Sequence, residues 1–357
     1  MNTFPEITGS ARESGRQIGR LFGAQIAALT RDIVIQPERL KKFRRMLEKT
    51  AAWWLEEAEG IAETAGIVPD KLLAANCLPQ KPNKYYLGGC TSFLVMPDRS
   101  QTGIPLLLKI RDEAPLPQVV GTKHIDGTFR YIFGTNLNNL GIAHFLNERG
   151  LAGANNTGSP IISGINDLGF NDCHIMRLVA EKAADCREAL EVIREIVAAG
   201  FCSNAGFERG MIFLFADKTG QGLLVENTSA TVVFKFVRRG AFIYTNHFLL
   251  PEGRRLINRR RNREVPMKSS RIRYRRSRQL LRATGPAINP EDLGRFSQDT
   301  ENQPYSLCNG SDIFPWRTIS AFIHELDALK PRCRVCNGLP TETPYLPLAC
   351  ADKGRRC

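Results

Sequence analysis

Over the first quarter of the chain the apolar residues recur at helical spacing. Ile18, Leu21, Phe22 and Ile26 fall on one face of a segment that begins near Glu13. Leu40, Phe43 and Met46 follow a start at Pro37, and Trp53, Trp54, Leu55, Ala58, Ile61 and Ala62 form a third stripe. Pro69-Asp70 opens a fourth helical segment through Leu72-Leu73. Residues 1–89 are therefore expected to be mostly helical, with a Pro-bounded connector at 79–82. The tryptophans sit on an apolar stripe and are read as core.

At Cys90 the pattern changes. Short runs rich in β-formers predict strands at 91–96, 104–110, 128–133, 141–146 and 151–155. Residues 171–200 return to helical periodicity and stop at Gly200. Strands resume at 211–216, 222–226, 231–237 and 241–246. A helix is expected over 269–281, a short one from Pro290, and strands at 318–324 and 333–335. Most strands are joined by short polar turns, such as Asn147-Glu148-Arg149-Gly150, which suits antiparallel pairing. Helices, strands, helices, strands in that order predict an α+β chain: antiparallel sheets with helices packed outside, in one domain spanning 1–357. The loops around 113–127, 156–170 and 200–210 are expected to build a substrate pocket.

Composition adds limits. A hydrophobic fraction of 43% with 24% charged residues belongs to a globular chain. No apolar run is long enough for a membrane-spanning helix. The N-terminus has no basic segment followed by an apolar one, so a cytoplasmic location is expected. The net charge of +13 is concentrated: between Arg254 and Arg282 stand thirteen Lys/Arg and one acid, Glu264. Such a run suits a solvated helix face, a nucleic-acid surface, or a seat for an anionic ligand. Only Tyr274 is aromatic there, which argues against nucleic acid. Among ten cysteines, Cys333 and Cys336 have the spacing of half a zinc site, but strand alternation turns them to opposite faces and no second pair completes the set. No metal or cofactor is expected. Neither a dinucleotide nor a P-loop glycine pattern occurs.

The stretch that carries chemistry is Gly88-Gly89-Cys90-Thr91-Ser92. Two glycines permit a turn that presents a thiol at a strand start. A cysteine nucleophile needs a base. His124, His144, His174, His247 and His324 offer no protease-like context, and His144 and His324 alternate within apolar strands. Cleavage of the Gly89–Cys90 bond supplies another base. The freed α-amine has an unperturbed pKa of about 7.7–8.0 and can deprotonate its own thiol. Asp112, at the end of the neighbouring strand, is placed to hold that amine, and Asn246 and Asn147 are candidate amide donors to an oxyanion.

These residues lie within a wider resemblance. Glu13-Ser14-Gly15-Arg16-Gln17-Ile18-Gly19, the Glu56–Glu63 segment, Gly89-Cys90-Thr91-Ser92, Asn147-Glu148-Arg149-Gly150-Leu151 and Thr245-Asn246-His247-Phe248 occur in order. Together they resemble the acyl-coenzyme A:6-aminopenicillanate acyltransferase group of N-terminal-nucleophile (Ntn) hydrolases, whose wider relatives include choloylglycine hydrolase and acid ceramidase-like amidases. The resemblance implies a four-layer αββα sandwich made as a precursor and cut between 89 and 90 into a helical α chain and a catalytic β chain. It implies Cys90 as nucleophile, Asp112 as holder of its amine, Asn246 as an oxyanion donor and Asn147 as a substrate contact. Its usual arginine three residues before the aspartate is replaced by Lys109, with Arg111 adjacent, and lysine lacks the planar bidentate fork. Ser270 and Arg273 lie in a stretch similar to the family's S-x-x-R helix. The expected substrate is a small-molecule acyl donor, either a linear amide or an acyl-coenzyme A thioester. The second reading is a basic binding protein for nucleic acid or an anionic surface, built on an inactive form of the same scaffold.

Overall fold

The computed structural model describes residues 4–78, 89–205, 208–263 and 265–350. The connector expected at 79–82, Gly88 and the polar C-terminal residues lie outside them, whereas Gly89 and Cys90 lie within.

The first quarter holds β1 (Glu6–Gly9) and four helices, α1 (Ala11–Thr30), α2 (Pro37–Thr50), α3 (Trp53–Ala65) and α4 (Pro69–Cys77). Strands β2 (Thr91–Val95), β3 (Leu106–Glu113), β4 (Gln118–Ile125), β5 (Tyr131–Asn136), β6 (His144–Asn147) and β7 (Leu151–Pro160) follow. Then come α5 (Asp172–Lys182), α6 (Cys186–Ala198), β8 (Arg209–Asp217), β9 (Gly222–Asn227), β10 (Val232–Val237) and β11 (Ala241–Tyr244). The chain closes with α7 (Pro251–Arg255), α8 (Val265–Thr284), α9 (Pro290–Ser297), β12 (Arg317–Glu325), β13 (Arg332–Cys336) and β14 (Leu346–Leu348).

Two sheets result. One runs β1-β4-β5-β6-β7-β8-β9-β10, the other β11-β2-β3-β12-β13-β14. All pairings are antiparallel except β1 with β4. Strand alternation explains the layering. In β8, Met211, Phe213 and Phe215 point into a core shared with α1–α6, and Ile212, Leu214 and Ala216 point into a core between the sheets. In β2 and β3, Leu94 and Leu107 enter the inter-sheet core. Phe93, Leu106 and Leu108 on the other face meet Leu293 and Phe296 of α9 and the flank of α8. Three cores separate four layers, the αββα order expected from the resemblance.

Three expectations change. Residues 118–125, expected as loop, form β4, because Val119 and Val120 alternate between two buried faces. The N-terminal quarter contributes β1 to a sheet and is not purely helical. Segment 156–160 continues β7 and is not part of a pocket loop.

The glycines of the two N-terminal motifs have a packing role. A Cβ at Gly15 would stand 2.1 Å from the Glu57 carbonyl, and one at Gly60 2.1 Å from the Arg12 carbonyl, so α1 and α3 touch backbone to backbone. That approach sends the Glu57 side chain inward to an ionic cluster with residues from beyond Cys90. Lys123 of β4 donates to Glu57 Oε1 at 2.6 Å, and Arg177 of α5 bonds both Glu57 and Glu181. Glu181 also accepts from the indoles of Trp53 (2.9 Å) and Trp54 (2.8 Å) and from Tyr131 (3.1 Å). Burial alone would raise the Glu57 carboxyl, but Arg177 and Lys123 outweigh it and hold the group below the ordinary range.

Replacing Glu57 with glutamine leaves two buried cations against one acid. Glu57→Gln is expected to destabilise the protein by about 3–5 kcal/mol at pH 7, read from urea midpoints. Because the native carboxyl is depressed, the gap between wild type and variant narrows as pH falls below the unfolded carboxyl value of about 4.3.

Candidate active site

Register assembles the site. Thr91 pairs with Ile110, so the β2–β3 register carried two residues further sets Gly89 opposite Asp112. Tyr244 pairs with Ser92 on the other side, and the same extension sets Asn246 opposite Cys90. Cys90, half-buried just before β2, the second strand of its sheet, thus has Asn246 across from it on one side and, on the other, Asp112 across from the preceding Gly89.

The centre of the cluster is Arg273 of α8, which is 1% exposed. Its Nη1 donates to the Cys90 carbonyl (2.8 Å) and to Thr91 Oγ1 (2.9 Å), its Nη2 to Asn246 Oδ1 (2.7 Å), and its Nε to Ser269 Oγ (3.3 Å). Burial lowers its pKa and Asp112 works against that. Asp112 accepts from Thr318 Oγ1 through Oδ1 at 2.7 Å, while Oδ2 is buried with no hydrogen-bond partner among the described residues. A Cβ placed on Gly89 would lie 2.6 Å from that Oδ2, 3.2 Å from the Trp316 ring and 3.3 Å from the Arg273 guanidinium carbon. The bare oxygen therefore faces the backbone just before Cys90, where only glycine fits. Burial raises the Asp112 carboxyl to about 7, against the pull of Arg273 and the Thr318 hydrogen bond.

Asn246 is held from three sides. Its N–H donates to Ser270 Oγ (2.8 Å), its Oδ1 accepts from Arg273, and one Nδ2 hydrogen goes to the Thr157 carbonyl (2.9 Å). Ser270 Oγ is also 2.7 Å from His247 Nδ1, and burial followed by Arg273 lowers His247 to about 4. Ser270 and Arg273, three residues apart on α8, thus both serve the site.

Lys109 and Arg111 share the opposite face of β3. Lys109 is fully buried and donates to the Asn155 carbonyl and to Asn156 Oδ1 (2.8 Å). Asn156 accepts from Ser92 Oγ (2.9 Å) as well and donates to the carbonyls of Tyr244 (3.0 Å) and Thr245 (2.9 Å). Lys109 and Asn156 therefore brace β2 and β11 from beneath Cys90, through single hydrogen bonds and with no bidentate fork. Arg111 donates to Gln118 (3.0 Å) and Asn136 (2.8 Å), between the sheets.

Asn147 requires correction. Its Nδ2 donates to the carbonyls of Ala180 (3.2 Å) and Ala183 (2.8 Å), and its Oδ1 accepts from the N–H groups of Arg149 and Leu151. It ties the β6–β7 turn to the end of α5. Leu151, beside it, is five residues from Asn156 along β7, about 17 Å at strand rise. Asn147 is a structural turn residue and does not join the Cys90 cluster.

Other candidate chemistry disperses. His144 packs on Phe322 at 3.4 Å and on His324 at 5.5 Å within the inter-sheet core. Cys333 faces that core and Cys336 donates to backbone carbonyls on the other side, and among the described residues no group of His, Cys, Asp or Glu is arranged to hold a metal. The cations of the basic run diverge: Arg273 turns inward, Arg276 pairs with Asp299 (2.6 Å), Arg261 with Glu208, and Arg271 caps the Asn262 carbonyl. Among the described residues no helix is long and apolar enough to cross a membrane.

Three partners were not singled out from the sequence: Thr318, Trp316 and Asn156. Asn155-Asn156 left a signal, two amides in the middle of an apolar strand. Thr318 left none, since it comes to Asp112 only through the β3–β12 register.

Many solved structures are similar to this chain, and three serve as examples. Penicillin V acylase from Agrobacterium tumefaciens is 14% identical, covering 73% of this chain and 86% of that one, with a TM-score of 0.43. A mutant conjugated bile acid hydrolase from Clostridium perfringens is 10% identical over 72% of this chain and 96% of that one (TM-score 0.42). An N-acylethanolamine-hydrolyzing acid amidase ortholog from Caenorhabditis elegans is 12% identical over 66% and 92% (TM-score 0.42). A comparison with curated protein sequences returns no match. The family model for acyl-coenzyme A:6-aminopenicillanic acid acyl-transferase matches residues 122–334, more than half of the sequence and all the strands from β5 to β12. With its four-layer αββα sandwich, the chain belongs to the acyl-coenzyme A:6-aminopenicillanic acid acyl-transferase family.

Proposed function

We propose that this protein is an autoprocessed cysteine enzyme that transfers acyl groups from small-molecule amides or thioesters to water or an amine. The observation that carries the reading is the unpartnered Oδ2 of Asp112, buried against Gly89 at the bond before Cys90. A buried acceptor without a donor costs on the order of 1–3 kcal/mol. Scission at Gly89–Cys90 would supply the missing donor, the α-ammonium of Cys90.

In the first reaction Cys90 Sγ attacks the Gly89 carbonyl carbon, and the peptide nitrogen leaves as the α-amine. Water then cleaves the Gly89 thioester and releases the thiol. In the second, the α-amine accepts the thiol proton while sulfur attacks the substrate carbonyl. The remaining Nδ2 hydrogen of Asn246 stabilises the oxyanion, in an orientation held by Arg273 and Thr157. The α-ammonium returns its proton to the leaving group, and the acyl-Cys90 intermediate passes to water or an acceptor amine. Asp112 holds the amine and Arg273 holds the Cys90 carbonyl, so the new N-terminal residue is anchored on both sides of its Cα after the cut. Family membership supports acyl-coenzyme A thioesters and penicillin-type amides as the first donors to test.

Intact mass of the purified protein under denaturing conditions should give two fragments breaking between Gly89 and Cys90, and a single chain for Cys90→Ala. A wild-type chain that stays whole and transfers no acyl group from N-acyl amines, penicillins or acyl-coenzyme A esters sinks the proposal. Arg273→Lys is expected to retain the fold, because lysine keeps the charge, but to lose kcat by roughly a hundredfold, since one ammonium cannot span Cys90 and Asn246 together.

Asp112 supplies a pH test. In the folded, uncut chain burial raises its carboxyl to about 7, above an unfolded value of about 3.9, and the Cys90→Ala background keeps the chain uncut for the measurement. Folding thus disfavours the ionised form, so this group's contribution to stability worsens as pH rises from about 4 to 7 and is level above that, by at most about 4 kcal/mol. Asp112→Asn in the same background should flatten that dependence in urea melts at pH 4 and pH 8.

A further inference from the structure

A cleft of about 780 Å³ lies beside α8, away from the nucleophile: Cys90, Asp112, Asn246 and Arg273 are not among its lining residues. The volume falls within the range of small-molecule sites. One wall is α8, which presents Tyr274, Arg278, Leu281 and Arg282, spaced on one helical face. The opposite wall is β11, the last strand of its sheet, with Leu249 and Leu250 from the loop that follows.

Its charge is one-sided. Arg99, Lys235, Arg278 and Arg282 line the cleft, and among the described residues no carboxylate does. Glu226, the acid bonded to Tyr244 and to the N–H groups of Leu249 and Leu250, is fully buried and not part of the lining. Elsewhere on α8 and its approach, Arg276 is paired with Asp299 and Arg261 with Glu208. The four in the cleft form no ion pair among the described residues. Two are already oriented. Arg99 donates to the carbonyls of Gly285 (3.2 Å) and Pro286 (2.7 Å), and the Arg278 guanidinium lies 5.9 Å from the Tyr274 ring. Four cations lining one cleft without counter-charges repel one another, and an anion relieves that. Apolar walls below them exclude a purely ionic occupant as the best fit.

We propose that this cleft binds an amphipathic anion, an aliphatic chain ending in a carboxylate or a phosphate, at a site separate from Cys90. The chain lies between Leu249–Leu250 and Leu281, and the headgroup meets the Arg278–Arg282 side of α8.

Isothermal titration of full-length Cys90→Ala protein with dodecanoate and with dodecyl phosphate tests it, the two arms separating carboxylate from phosphate recognition. At least one is expected to bind one to one, with dodecanol at least tenfold weaker and the affinity falling as salt is raised. Arg278→Glu with Arg282→Glu should weaken binding at least tenfold while leaving the thermal melt in place. Lys41→Glu with Arg45→Glu, the same charge change on the exposed face of α2, should leave binding unchanged. Leu281→Trp, which fills the cleft without changing charge, should also abolish binding. Equal binding of dodecanol, no binding of either anion, or binding that survives both cleft variants overturns the proposal. Loss of binding in Asn246→Ala with retention in the Arg278/Arg282 pair puts the ligand at the nucleophile and overturns it equally.

Discussion

A single buried guanidinium ties the candidate site together. Arg273 reaches from α8 through the helical layer to the head of β2 and bonds the Cys90 carbonyl, Thr91 and Asn246 at once. A charge with 1% exposure is tolerable only where its donors are matched by acceptors. Here the acceptors are the parts whose relative position matters most. Moving any one of them strands a charge-assisted hydrogen bond, so the arrangement is stiff before a substrate arrives. Asp112, beside this cation, is one donor short, and the Trp316 indole N–H nearby is also without an acceptor among the described residues.

The N-terminal quarter is joined to the remainder by more than apolar contact. α1 and α3 meet through glycines, which lets Glu57 reach the cations of β4 and α5. Trp53 and Trp54 extend the same cluster by donating to Glu181. Apolar packing alone is non-directional and tolerates sliding; a buried ionic cluster fixes register. Should the chain be cut before Cys90, the helical fragment would still carry the counter-charge that Lys123 and Arg177 require.

Much of the architecture was legible in the sequence. The four N-terminal helices follow from apolar spacing, and the change of period at Cys90 marks the start of the sheets. β4 was missed because Val119-Val120 are set among Gln118, Gly121, Thr122 and Lys123, which read as a loop unless both faces are known to be buried. β1 was missed because four residues give too little periodicity to detect. Asn147 misled for a related reason: an asparagine in a glycine-ended turn suits backbone capping and substrate binding equally well, and only the position of α5 decides between them.

The sequence by itself determined the residue types and their local settings. It placed a thiol after paired glycines, an aspartate and a lysine on one strand, an asparagine at a strand end, and a Ser-x-x-Arg spacing on a basic helix. Such features depend on neighbours within a few positions, and hydrophobic period reveals them. Tertiary structure alone decided which of these meet. Gly89 lies opposite Asp112, and Asn246 opposite Cys90, because two strand registers were chosen by burying Phe93, Leu94, Leu107 and Leu108 on their proper faces. Arg273 joins them because α8 packs over that sheet from 183 positions away. Register and layer packing are set by whole-chain burial, which no local pattern encodes.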